Sequence, residues 1–158
     1  MALDALRPDV RAVPAWDLTY HLERWSRSTG IAVEVWALPG EPLPVPIAEL
    51  VHATILDALD GLEPDGSVRC VGIALTVGAR GLRLTLSGDG LGLPPERLTD
   101  RLRVRRARFA ELGGGLSVNA VLGGGITVSA ALPASGWRAA ARASSAAQPS
   151  IPAGSQPA

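Results

Sequence analysis

With 158 residues, 47% of them apolar, the chain is long enough for one domain with a proper core. Its fifteen basic and fifteen acidic residues cancel, so no global field favours nucleic acid or a membrane surface. The single cysteine, Cys70, excludes an internal disulfide framework, and its place in an apolar stretch marks it as a small core residue rather than a nucleophile.

In chain order, Leu18, Leu22 and Trp25 fall at helical spacing within residues 15–28, and Gly30 stops that helix. Residues 31–38 alternate Ile, Val, Val and Trp36 with smaller or charged residues, then meet Pro39-Gly40, which predicts a strand and a turn before a proline-rich loop over 39–46. From Pro46 the apolar stripe Ile47, Leu50, Val51, Ile55, Ala58, Leu59 and Leu62 predicts a second helix, with proline at its start. Residues 68–77 and 82–86 flank Gly78-Ala79-Arg80-Gly81 as a hairpin. The second hairpin strand runs straight into Asp89-Gly90-Leu91-Gly92. There Asp89 can accept hydrogen bonds, and Gly90 and Gly92 let a flat ligand approach the backbone without meeting a Cβ. The same residues also make ordinary loops after strands, so context decides.

Past Pro94-Pro95, the positions Leu98, Leu102, Phe109 and Leu112 predict a third helix closed by Gly113-Gly114-Gly115. Residues 116–121 and 126–132, around Leu122-Gly123-Gly124-Gly125, predict a last hairpin with one buried and one open face. The expected core is Trp25, Ile47, Val51, Ile55, Leu59, Ile73, Leu75, Leu84, Leu86, Leu116, Val118, Ile126 and Val128. From about Ala134 the chain is Ala, Ser, Pro, Gly and Gln around isolated Trp137, Arg138 and Arg142, a composition that predicts disorder. The expected organisation is a lead-in over 1–14, one domain over 15–133 and a disordered tail over 134–158. No stretch approaches the roughly 20 apolar residues of a membrane helix, and no basic segment followed by an apolar run opens the chain. A cytoplasmic setting is expected.

This order of elements resembles the Bergerat-type ATP-binding fold shared by gyrase, heat-shock chaperone, MutL and histidine kinase ATPases. Asp89-Gly90-Leu91-Gly92 is similar to that family's first glycine box, whose aspartate accepts the adenine amino proton. Leu112-Gly113-Gly114, Gly123-Gly124-Gly125-Ile126-Thr127-Val128 and the ending Leu132-Pro133 resemble the closing segments of the nitrate-sensor and DesK-like sensor kinases. Leu6-Arg7-Pro8 resembles their lead-in. The resemblance implies an α/β fold, a two-layer sandwich with a mixed, mostly antiparallel sheet and helices on one face. It implies ATP or ADP as ligand, and a response regulator, a sensor kinase or a second copy of the chain as partner. An arginine-only, Ala-, Gly- and Pro-rich composition adds a bacterial origin of GC-rich type.

Two family patterns are altered. The magnesium helix normally carries Glu-x-x-x-Asn, which puts a base and a metal-binding amide on one helical face; those positions read Asp57 and Gly61, so magnesium is doubtful. The second glycine box aligns with residues 101–108, where Leu102, Arg106 and Arg108 match but Arg101 replaces the glycine whose backbone would cradle phosphate. Arginines can donate to phosphate in its place, or Arg97, Arg101, Arg105 and Arg108 form a solvated helix face. The acceptor histidine of these kinases precedes the Leu-Arg-Pro segment, whereas His21 and His52 follow it and fit structural positions. The candidate nucleotide-binding residues are therefore Asp57, Asp89, Gly90, Gly92, Arg101 and Leu102, with Asp57 the weak catalytic candidate. The expected function is nucleotide binding with weak or absent catalysis in two-component-type signalling. An active trans-acting kinase of the anti-sigma-factor type and a nucleotide-free interaction module are the alternatives.

Overall fold

The computed structural model describes residues 12–13, 15–63, 67–90, 94–121 and 124–146. Leu6-Arg7-Pro8, Gly92, Gly123 and the chain beyond 146 lie outside them.

A short strand β1 (Ala12–Val13) precedes helix α1 (Ala15–Thr29), which buries Leu18, Leu22 and Trp25 one above the other. Gly30 ends α1 at φ 76°, and its N–H donates to Ser26 O at 2.9 Å. The Ser26 hydroxyl donates to Ile31 O at 2.7 Å, so the exit into strand β2 (Ala32–Ala37) is fixed by the helix that precedes it. In the loop after β2, strand β3 (Leu43–Pro44) pairs antiparallel with β1. Helix α2 (Val45–Leu62) follows, with proline in its first turn, where a missing N–H costs nothing. Its buried positions are those of the sequence stripe together with Ala48 and Thr54, and Thr54, the one buried polar side chain among the described residues, donates its hydroxyl to Leu50 O at 2.7 Å.

Strands β4 (Cys70–Gly78) and β5 (Gly81–Gly88) form the expected hairpin. Helices α3 (Pro95–Arg101) and α4 (Arg103–Glu111) then lead to β6 (Gly115–Val121) and β7 (Gly125–Pro133). The single third helix expected from sequence is thus two. Leu102 sits between them at φ −92°, ψ 5°, a bend that lets Leu98, Leu102 and Phe109 all reach the core. Gly113 at φ 81° closes α4: its N–H donates to Ala110 O at 3.0 Å and that of Gly114 to Phe109 O at 2.8 Å, the paired bonds of a Schellman cap.

The main sheet has the order β2-β4-β5-β7-β6, with β2 parallel to β4 and every other pair antiparallel. Leu82, Leu84 and Leu86 of β5 face the helices, whereas Arg83, Thr85 and Ser87 share the open face with Thr127, Ser129, Ser117 and Asn119. The expected two-layer α/β sandwich with helices on one face is therefore present. Of the expected core all are buried except Val118, which is half-buried against it.

The disorder expected from 134 is corrected: Ala134–Ala146 forms a helix, α5, and Trp137 packs against the core. Gly136 is what lets α5 come close, since a Cβ there would lie 2.0 Å from Leu112 O. A chain truncated after Pro133 is expected to unfold at lower denaturant than the full chain. Equal midpoints would mean that α5 adds nothing to stability.

Candidate functional site

Asp89 follows the last residue of β5, the sheet's central strand, and its carboxylate is committed to its own fold. The N–H groups of Arg69 and Cys70 donate to Asp89 Oδ1 at 2.8 and 3.1 Å, and the Asp89 N–H returns to Cys70 O at 3.3 Å. The carboxylate therefore pins the start of β4 to the end of β5. The backbone N–H of Arg69, then that of Cys70, hold its carboxyl below the usual aspartate range. A depressed pKa contributes stability that is present above the unfolded value of about 3.9 and is lost as pH falls through the folded value. Asp89→Asn should therefore flatten the acid side of the stability profile below about pH 4. An acid limb unchanged in that variant would remove Asp89 from the acid response.

Beside it, burial, followed by the charges of Glu34 and Asp89, pushes the Cys70 thiol up, away from thiolate reactivity. Gly90 is buried next to Asp89. The Asp89 turn is also approached closely from β7: at Gly125, φ 89°, a Cβ would lie 2.1 Å from Gly88 O and 3.2 Å from Asp89 Cα.

The second group gathers on α2. Arg105 Nε donates to Asp57 Oδ2 at 2.8 Å, with both side chains about one third exposed. Arg101 Nε donates to the Asp57 carbonyl at 3.0 Å, and its terminal nitrogen lies 3.6 Å from Asp60 Oδ2. Beneath these contacts, a Cβ at Gly61 would meet Leu98 Cδ1 at 2.7 Å and Arg101 Cδ at 3.1 Å. The missing side chain at 61 is therefore what α3 packs onto. Leu102 is fully buried between α3 and α4, so it contributes packing and shows no surface to a ligand. The structure thus brings Asp57 and Arg101 together, adds Arg105 to them, places Asp89 with backbone groups of β4, and leaves Leu102 in the core.

These residues do not make up the hard oxygen set that magnesium takes. Position 61 has no side-chain oxygen, and the Asp57 carboxylate already holds a guanidinium. Among the described residues no group of three or more His, Cys, Asp or Glu side chains lies together. The amides of 69 and 70 are not among the sequence candidates, and Arg105 stands there only as a phosphate donor or a solvated position; no local motif announces these pairings, which span 20, 19 and 48 residues. His21 is exposed on α1 and His52 half-buried on α2.

No protein-family model matches the chain, and no curated protein is similar to it in sequence. Solved structures do match. The histidine kinase domain of the blue-light activated histidine kinase EL346 of Erythrobacter litoralis is 21% identical at a TM-score of 0.66, covering 89% of this chain and 71% of that one. A second structure of that blue-light activated kinase is 24% identical at a TM-score of 0.61, covering 78% of this chain, which spans about half (47%) of its length. No helix among the described residues is long and apolar enough to cross a membrane. At these identities the likeness is one of architecture: the chain has a histidine kinase-like fold.

Proposed function

We propose that this is a nucleotide-binding signalling domain of the Bergerat type, similar to the nitrate-sensor and DesK-like kinases, which takes ATP or ADP through its adenine ring and has weak or no catalysis. The observation that carries the reading is the division of the site. On the adenine side Asp89 is fixed at the sheet end through one carboxylate oxygen, Oδ1, which leaves Oδ2 outside those two bonds as an acceptor for an exocyclic amino group. On the phosphate side Asp57 is paired with Arg105 and Gly61 is covered by Leu98, so a metal-held triphosphate has no place prepared for it. Response regulators and sensor kinases are the partners such a domain would serve, in the bacterial cytoplasm.

Calorimetric titration with ADP and ATP, with and without magnesium, tests this. Similar, modest affinities independent of magnesium are expected. Asp89→Asn keeps an oxygen for the amides of 69 and 70 but presents an N–H donor to the adenine amino group. It should lower affinity by roughly 10- to 150-fold, corresponding to ~1.5–3 kcal/mol, while the domain stays folded. Tight magnesium-dependent ATP binding with turnover would point instead to an active trans-acting kinase. A second reading, an interaction module without nucleotide, is favoured by the two backbone bonds that already give Asp89 a structural task; absence of binding at millimolar ADP would establish it.

A further inference from the structure

The two edges of the main sheet are not alike. At β2 the pairing register shifts between Val35 and Ala37, Glu34 puts a carboxylate on the strand, and the Trp36 ring lies across Gly72. A bulge, a charge and a bulky cover are the devices that stop an edge from accepting another strand. β6, at the other edge, has none of them. Its seven residues, Gly-Leu-Ser-Val-Asn-Ala-Val, pair with β7 without a register shift and include no charge and no proline. An edge of this kind offers a row of unpaired backbone groups.

The helices packed against β6 decide what would fit it. Both α3 and α4 contact that strand. Residues 95–111 carry Arg97, Arg101, Arg103, Arg105, Arg106 and Arg108 against Glu96, Asp100 and Glu111, a local excess of three positive charges in a chain that is neutral overall. Arg101, Arg103, Arg105 and Arg108 are engaged with Asp57 and Asp60, Asp100, Asp57 and Glu111 respectively. The Arg97 and Arg106 side chains are exposed and, among the described residues, have no partner. A second copy of the chain paired through β6 would bring two such positive surfaces together, which opposes self-association.

We propose that β6 is a docking edge for an extended acidic segment of a partner protein, which adds to the sheet as a sixth strand with carboxylates at alternate positions. Successive side chains of a strand point to opposite faces. Every second residue of the segment therefore lies on the helix side, the side on which α3 and α4 carry Arg97 and Arg106, and the others lie over Ser117 and Asn119 on the open face. Backbone pairing supplies affinity and the alternating charge supplies selectivity.

The test uses the full chain and two acetylated octapeptides, one alternating Thr and Glu, the other alternating Thr and Lys. The Glu peptide should bind, slow amide hydrogen exchange over residues 115–121 and not over 32–37, and weaken several-fold between 50 and 300 mM salt, as exposed charge pairs do. The Lys peptide should show no binding. The double substitution Arg97→Glu and Arg106→Glu involves exposed side chains only, and should cut affinity for the Glu peptide at least tenfold and admit the Lys peptide. The proposal is overturned by equal binding of both peptides, by protection elsewhere than β6, by no binding at millimolar peptide, or by concentration-dependent protection of β6 without peptide, which would make the edge a homodimer seam.

Discussion

Phe109→Ala is expected to lower the free energy of unfolding by ~3–5 kcal/mol, the range for emptying a fully buried aromatic site. Phe109 is the only phenylalanine of the chain and is 0% exposed. It is also the sole buried residue within α4, whose other positions are mostly arginine, alanine and glutamate facing outward. Nothing else in that helix holds it to the sheet, and its carbonyl accepts the Gly114 N–H of the closing cap. Removing the ring should therefore release α4 as a unit, and with it Arg105 from Asp57. Denaturant unfolding gives the stability loss, and hydrogen exchange over residues 103–111 shows whether the helix goes first. A loss below ~1 kcal/mol would mean that neighbouring side chains collapse into the space and that α4 is held by its ion pairs instead, against the small worth of exposed pairs.

Gly125→Ala should be nearly as costly, on the order of 2–4 kcal/mol, for a backbone reason. The residue sits at φ 89°, where an L side chain is strained, and its Cβ would lie 2.1 Å from Gly88 O. That oxygen belongs to backbone, and Gly88 is paired in register with Ile126, so relief means parting β5 from β7 beside Asp89. Loss of stability should therefore appear together with loss of the adenine affinity proposed above. Gly78→Ala is the control, because a Cβ there meets nothing within 4 Å and its φ is ordinary. Equal behaviour of the two variants would show that the close approach at 125 relaxes without cost.

Where side-chain period alone sets an element, the sequence was sufficient. The α2 stripe from Ile47 to Leu62 and the alternation of Leu82, Leu84 and Leu86 each put one face in the core, and both hairpins follow from their glycine turns. α5 was not legible, because its residues are mostly alanine and serine and its attachment depends on Gly136 meeting a carbonyl of Leu112, a contact no local pattern records. The bend at Leu102 was hidden for the same reason: no glycine or proline marks it, and burial of three side chains imposes it. The sequence singled out positions 57, 61, 89 and 101, and the partners that the fold gives Asp57, Asp89 and Arg101 are distant in the chain. Gly61 reads in sequence as a lost ligand and in the fold as a seat for Leu98; only the second reading explains why α3 lies where it does.

The order β2-β4-β5-β7-β6 also bears on how the protein is made. β5 is the middle strand, yet one of its two neighbours, β7, is encoded after α3, α4 and β6. During synthesis the β4–β5 hairpin therefore emerges with one side of β5 open and its Leu82, Leu84 and Leu86 row reaching up to that edge. Such a half-finished sheet is the species most prone to pair with a neighbouring nascent chain. Lesions in β7 should consequently show first as a smaller soluble yield in the cell, ahead of any defect measurable in the fraction that has folded.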